Sequence, residues 1–163
     1  MATFEASLWK EALLSVKNQF QIDLLLPEQE DSIRAFMEKG NLFVNLPTGF
    51  GKSLNFQCIP IVADILNSRP RGSSVLVVIS PLKALMDDQV QYLGTVGIPA
   101  IAIGDEDDPE IIQQVINGTY IIVYCSPECM LSTTTWRGIF HAASFRQKLL
   151  GVAIDEAHCI TQW

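Results

Sequence analysis

Thr48, Gly49, Phe50, Gly51, Lys52 and Ser53 sit between an apolar run, Asn41 to Leu46, and a stretch with helical spacing that opens at Lys52. Two glycines one residue apart let the backbone curl until successive N–H groups point at one spot, and the start of a helix adds a favourable dipole for an anion there. A lysine and a hydroxyl residue next in the chain supply what a nucleoside triphosphate needs. Lys52 offers a cation to the β- and γ-phosphates, and Ser53 offers a hydroxyl to Mg2+. Leu46 stands where the GxxxxGK[ST] pattern has its first glycine.

The second chemical element lies about a hundred residues further on, a separation usual for P-loop nucleotidases. The apolar run Leu149 to Ile154 ends in Asp155 and Glu156, two adjacent carboxylates followed by His158. At the carboxyl end of a strand, Asp155 can hold Mg2+ through its water shell, and Glu156 can orient and deprotonate a water that attacks the γ-phosphate. Lys52, Asp155 and Glu156 are therefore the candidate catalytic residues, Ser53 and Asp155 the candidate metal residues, and ATP with Mg2+ the implied cofactors. His158 is read either as a coupling residue or as a loop histidine bonded to its neighbours.

Something must hold these groups in place. Five runs rich in β-branched residues are candidate strands: Asn41 to Leu46, Ser74 to Ser80, Pro99 to Ile103, Thr119 to Cys125 and Leu149 to Asp155. Helical spacing falls between them, at Glu28 to Lys39, Lys52 to Leu66, Leu82 to Leu93 and Pro109 to Asn117. That alternation predicts an α/β fold, an open parallel sheet with helices on both faces. Pro60 is expected to kink or divide its helix, because it removes a backbone donor. The acidic run from Gly104 to Glu110 is expected to be a solvated loop complementing the dipole of the next helix.

With 163 residues, 48% hydrophobic and 18% charged, the chain is expected to form one compact domain. The apolar runs have strand length, far below the ~20 residues of a membrane span, so no membrane role is expected. Residues 1 to 25 read as an amphipathic helical extension, ahead of a nucleotide-binding domain over 26 to 163. The four cysteines lack a paired CxxC pattern and read as reduced, mostly buried thiols. A formal charge of −7 argues against a broad basic face, so any contact with nucleic acid must be local.

From about Leu26 onward the sequence resembles the RecQ family of superfamily-two DEAH-box helicases. Leu26 to Gln29 is similar to the family's adenine-recognition motif, with Leu26 in place of its arginine. The resemblance implies that Gln29 reads the adenine edge, with Phe20 stacking nearby. Thr48 to Ser53, followed by Leu54, Phe56 and Gln57, is similar to motif I, with Phe50 replacing a commoner glycine. Ser80 to Val90 is the most specific likeness, and Ser126 to Glu128 resembles motif Ib. Both imply contact with the backbone of single-stranded DNA, through Ser80 and Ser126. Cys159 to Trp163 resembles the start of the aromatic-rich loop that couples DNA binding to hydrolysis, with Trp163 stacking on a base.

The resemblance implies a RecA-like P-loop fold and an ATP-dependent 3′-to-5′ DNA helicase, acting on single-stranded or forked DNA in repair or recombination, with residence in the nucleus and possible residence in the cytoplasm. A motor of this kind needs a second RecA-like domain with an arginine finger, so the chain is read as the nucleotide-binding half, truncated after the DEAH box. It is not expected to unwind DNA by itself. An unpaired sheet edge beside the Leu149 run is expected, as is a possible protein partner supplying the missing motor half. The alternative reading is a non-catalytic nucleotide-binding module that sequesters a partner or competes with a full-length helicase.

Overall fold

The structure, a computed structural model, describes residues 4–47, 49–104, 108–132 and 134–162. They form two compact units, Met1–Arg71 and Gly72–Trp163. The division falls inside the stretch 26–163 that the sequence suggested as one domain.

The first unit is helical: α1 (Ala6–Phe20), α2 (Pro27–Lys39), α3 (Lys52–Gln57) and α4 (Ile59–Leu66). Trp9, Ala12, Val16 and Phe20 recur at helical spacing and are buried, giving α1 the single apolar stripe of an amphipathic helix. That stripe packs chiefly on α4, whose residues Ile59 to Asp64 are all buried. Arg71 ties the end of the unit back to α1, donating to Gln19 Oε1 at 2.7 Å and Ser15 Oγ at 3.3 Å. Pro60 divides the expected helix: α3 ends at Gln57, and α4 begins with Pro60 in its first turn, where no backbone donor is required.

The strand expected over Asn41 to Leu46 does not form. A strand needs a neighbour to take its backbone hydrogen bonds, and among the described residues none pairs with this segment. Phe43 is 79% exposed and Leu42 43%. β-propensity alone does not make a ladder.

The second unit carries the sheet. Its elements are β1 (Val75–Ile79), α5 (Lys83–Thr95), β2 (Ala100–Ile103), α6 (Pro109–Ile116), β3 (Ile122–Cys125), α7 (Pro127–Ser132), α8 (Thr134–His141), α9 (Ala143–Lys148), β4 (Leu149–Ile154) and a 3-10 turn, Ala157–Gln162. The four strands are parallel in the order β2-β3-β1-β4, an open parallel sheet with helices. β1 and β3 are buried throughout, as strands covered on both faces must be. One face, with Val75, Val77, Ile79, Val123 and Cys125, packs with Trp136, Ile139 and Phe145 from the helices. Phe140 joins them, tilted on Trp136 at 5.3 Å and edge-on to Phe145 at 5.9 Å.

β4 pairs with β1 on one side and, among the described residues, with nothing on the other; its Val152 and Ile154 are exposed. Cys58, Cys125 and Cys129 are buried and Cys159 half-buried, all as free thiols. Burial pushes the Cys58 and Cys125 thiols up to about 12, and for Cys125 the neighbouring Cys129 adds to the effect. No helix among the described residues is long and apolar enough to cross a membrane.

Candidate functional site

The first unit holds the glycine loop. Gly49 and Gly51 have φ of +92° and +62°, the left-handed region that glycine enters without steric cost. Gly51 is the last residue before α3, so Lys52 and Ser53 occupy the first turn, where backbone N–H groups have no partner within the helix. Lys52 is exposed, and among the described residues no carboxylate pairs with it. A Cβ added at Gly49 would meet no atom within 4 Å, so there is room on that side of the turn. Thr48 lies outside the described residues.

Gln29 shapes this loop from α2. It is 5% exposed, and its Nε2 donates to the carbonyl oxygens of Phe50, at 3.1 Å, and Gly51, at 3.3 Å. Its Oε1 accepts the N–H of Leu26 at 2.9 Å. Pro27 opens the helix and Gln29 reaches back over that first turn, half of a capping box. The residue expected to read a base thus has its whole carboxamide engaged by backbone. Phe20, expected to stack nearby, is 3% exposed at the end of α1 and presents no free ring face to a base.

The second unit brings three candidates to one edge of its sheet. Ile79 is in register with Cys125 on one side and Ile154 on the other, so Ser80, Ser126 and Asp155 follow the carboxyl ends of three adjacent strands. The ladder continues through them, with Ser80 N–H on the Cys125 carbonyl at 3.0 Å and Asp155 N–H on the Ile79 carbonyl at 2.9 Å. Such an edge is where open α/β sheets bind ligands. Ser126 Oγ accepts the Cys129 N–H at 3.1 Å and so caps α7. The Ser80 hydroxyl is enclosed, 1% exposed, with no hydrogen-bond partner among the described residues.

The acidic pair follows β4. Glu156 has φ of +53°, a conformation that costs a non-glycine residue roughly 1–2 kcal/mol. It is held by its N–H on Asp155 Oδ1 at 3.0 Å and by its carbonyl, which accepts the Cys159 N–H at 2.9 Å. Strained backbone of this kind concentrates at functional sites. His158 Nδ1 lies 3.2 Å from Glu156 Oε2, so the ring stands beside the acid. Trp163 lies outside the described residues.

Ser53 in the first unit carries a hydroxyl and Asp155 in the second a carboxylate, each an oxygen donor of the kind Mg2+ takes, and a glycine turn followed by an unpaired lysine suits a polyphosphate. Among the described residues, no cluster of histidine, cysteine or acidic side chains is arranged to hold a metal ion. Asp108 Oδ1 accepts the Glu110 N–H at 2.8 Å and caps α6, while Asp105, Glu106 and Asp107 lie outside the described residues.

Residues 26–163 match the family model for the DEAD/DEAH box helicases. The ATP-dependent DNA helicase hus2/rqh1 of Schizosaccharomyces pombe is 32% identical over 160 residues, 94% of this chain and 12% of that protein. The ATP-dependent helicase SGS1 of Saccharomyces cerevisiae is 31% identical over 157 residues, 94% of this chain and 10% of that protein. The ATP-dependent DNA helicase RecQ of Haemophilus influenzae is 35% identical over 156 residues, 93% of this chain and 23% of that protein. The chain thus spans a quarter or less of the length of these curated relatives.

Proposed function

The chain belongs to the DEAD/DEAH box helicase family, with RecQ-type helicases among its relatives, and from that membership we propose that it forms the Mg-ATP-binding part of a DNA helicase motor moving 3′ to 5′. The observation that carries the reading is the left-handed turn at Gly49 and Gly51, with Lys52 unpaired among the described residues directly after it.

In this reading the backbone N–H groups of the turn and the Lys52 ammonium bind the phosphates. Ser53 and Asp155 hold Mg2+, which when bound neutralises charge on the β- and γ-phosphate oxygens. Glu156 orients the attacking water and accepts its proton, with the His158 ring beside it. Ser126, with the segment after β1, faces single-stranded or forked DNA. Hydrogen bonds to phosphate oxygens need no net positive charge, which suits a chain of formal charge −7. Action in DNA repair or recombination within the nucleus completes the proposal.

Equilibrium titration of the 163-residue chain with a fluorescent ATP analogue and Mg2+ tests it. Saturable binding that Lys52→Ala removes and Glu156→Gln retains is the expected result. Equal affinity of wild type and Lys52→Ala refutes the phosphate role.

A second reading, a nucleotide-binding module that captures a protein partner, is favoured by the open edge of β4 with Val152 and Ile154 exposed beside it. It differs in expecting nucleotide binding with no DNA-stimulated turnover and a stable complex with that partner.

A further inference from the structure

α2 has little apolar anchorage. Of its thirteen residues only Gln29 and Ile33 are buried, and Gln29 is the residue that reaches the glycine loop. Beyond its packing on α3, the helix is held by side chains of the neighbouring stripe. Glu30 and Arg34, one turn apart, grip the same side chain of α1. The Trp9 indole Nε1 donates to Glu30 Oε1 at 3.1 Å, and the Arg34 guanidinium lies 4.3 Å from the centre of the Trp9 ring. Trp9 is itself 5% exposed, locked in the stripe that packs with α4. Both contacts are the kind that strengthens when partly withdrawn from water, a hydrogen bond to a carboxylate and a cation over an aromatic face.

Gln29 and Glu30 are consecutive residues of one rigid helical turn, so a displacement of one carries the other. We infer that α1 is a positioning element for the glycine loop: Trp9, held by Glu30 and Arg34, sets the placement of α2 and thereby keeps the Gln29 carboxamide on the carbonyls of Phe50 and Gly51. Trp9, Glu30 and Arg34 touch no nucleotide in this arrangement and act only through Gln29. The effect on nucleotide affinity rests on the proposal that the loop binds ATP; the effect on the loop itself does not.

The test separates the two. Amide hydrogen exchange at residues 49–53 and affinity for a fluorescent ATP analogue are measured on the full chain, for wild type, Glu30→Ala, Glu30→Gln and Trp9→Phe. Glu30→Ala is expected to speed exchange in the loop and weaken nucleotide binding about threefold to tenfold, the net size of one ordinary hydrogen bond. Glu30→Gln keeps an acceptor for the indole and restores both readings to within about twofold. Trp9→Phe keeps the ring under Arg34 but removes the donor, and falls in line with Glu30→Ala. In a Gln29→Ala background, Glu30→Ala adds nothing further, because the route through Gln29 is already cut.

Unchanged loop exchange in both Glu30→Ala and Trp9→Phe overturns the inference, as does a full additive effect in the Gln29→Ala background. A wild-type chain that binds no nucleotide, but whose loop exchange still responds to Glu30→Ala, overturns the ATP reading and leaves the positioning role standing.

Discussion

Gln29 Nε2 lies 3.3 Å from the Gly51 carbonyl oxygen, so a side chain from α2 closes the turn that opens α3, with the Phe50 carbonyl sharing the same donor at 3.1 Å. Removing the carboxamide leaves both carbonyls without that partner and frees the turn to sample other conformations. Gln29→Ala is expected to weaken nucleotide binding roughly fivefold to tenfold, the usual net effect of a hydrogen bond or two. Gln29→Glu should weaken it more, because it trades a donor for a negative charge near the phosphates. Titration with a fluorescent ATP analogue reads both, and affinities equal to wild type would show that the contact has no part in shaping the loop.

Gly49 and Gly51 both carry positive φ, but their surroundings differ. An added Cβ at Gly49 has open space, whereas at Gly51 it would stand 2.9 Å from Gln29 Nε2, closer than real Cβ contacts come. Each alanine substitution therefore meets backbone strain of roughly 1–2 kcal/mol, and Gly51→Ala in addition displaces the Gln29 side chain. Gly51→Ala should lower the thermal midpoint more than Gly49→Ala and lose nucleotide affinity more steeply. Equal midpoints for the two would mean that Gln29 moves aside freely.

Much of this architecture was legible in the residues. The runs Val75 to Ile79 and Ile122 to Cys125 are apolar at every position, which only strands buried on both faces allow, and they are the inner pair of the sheet. Pro60 announced the break between α3 and α4 because it lacks a donor. The segment Asn41 to Leu46 read as a strand for the same compositional reasons and is not one, since pairing depends on a neighbour that local sequence cannot report. The helices Pro127–Ser132, Thr134–His141 and Ala143–Lys148 were not anticipated either. Thr134, Thr135 and Gly138 have low helix propensity, and burial of Trp136, Ile139 and Phe145 against the sheet overrides it. At the loop, Gln29 stood out in the sequence, but its engagement with loop carbonyls is a tertiary contact across twenty-one residues.

The thiols offer a prediction in which the sign follows from burial. Cys58 and Cys125 are held protonated up to about 12, whereas in the unfolded chain they ionise near their ordinary value of 9.0. Above pH 9 the unfolded state thus binds fewer protons than the folded one, and stability falls as pH rises, by about 1.4 kcal/mol per unit for each thiol until the folded value is reached. Below pH 9 these two groups contribute no pH dependence. Denaturant midpoints at pH 7, 9 and 10.5 check this. In the native chain at pH 8 a thiol reagent should modify Cys159 first, the half-buried one, and reach the other three only after unfolding. Rapid modification of all four in the folded state would contradict the packing.

Ser80 and Ser126 follow adjacent strands and resemble each other in sequence context, but their hydroxyls have opposite circumstances. Ser126 Oγ accepts the Cys129 N–H at 3.1 Å and caps α7, so Ser126→Ala should cost about 1 kcal/mol in denaturant unfolding. Ser80 Oγ is buried without a hydrogen-bond partner among the described residues, a condition that costs roughly 1–3 kcal/mol. Ser80→Ala removes that cost and should be neutral or stabilising. The same contrast extends to nucleic acid. An enclosed hydroxyl offers a phosphate nothing, whereas Ser126 is half-buried at the sheet edge, so single-stranded DNA affinity by fluorescence anisotropy should survive Ser80→Ala and decline with Ser126→Ala. If Ser80→Ala instead weakens DNA binding while leaving stability untouched, the segment after β1 must open when DNA arrives, and the enclosed hydroxyl is a contact held in reserve.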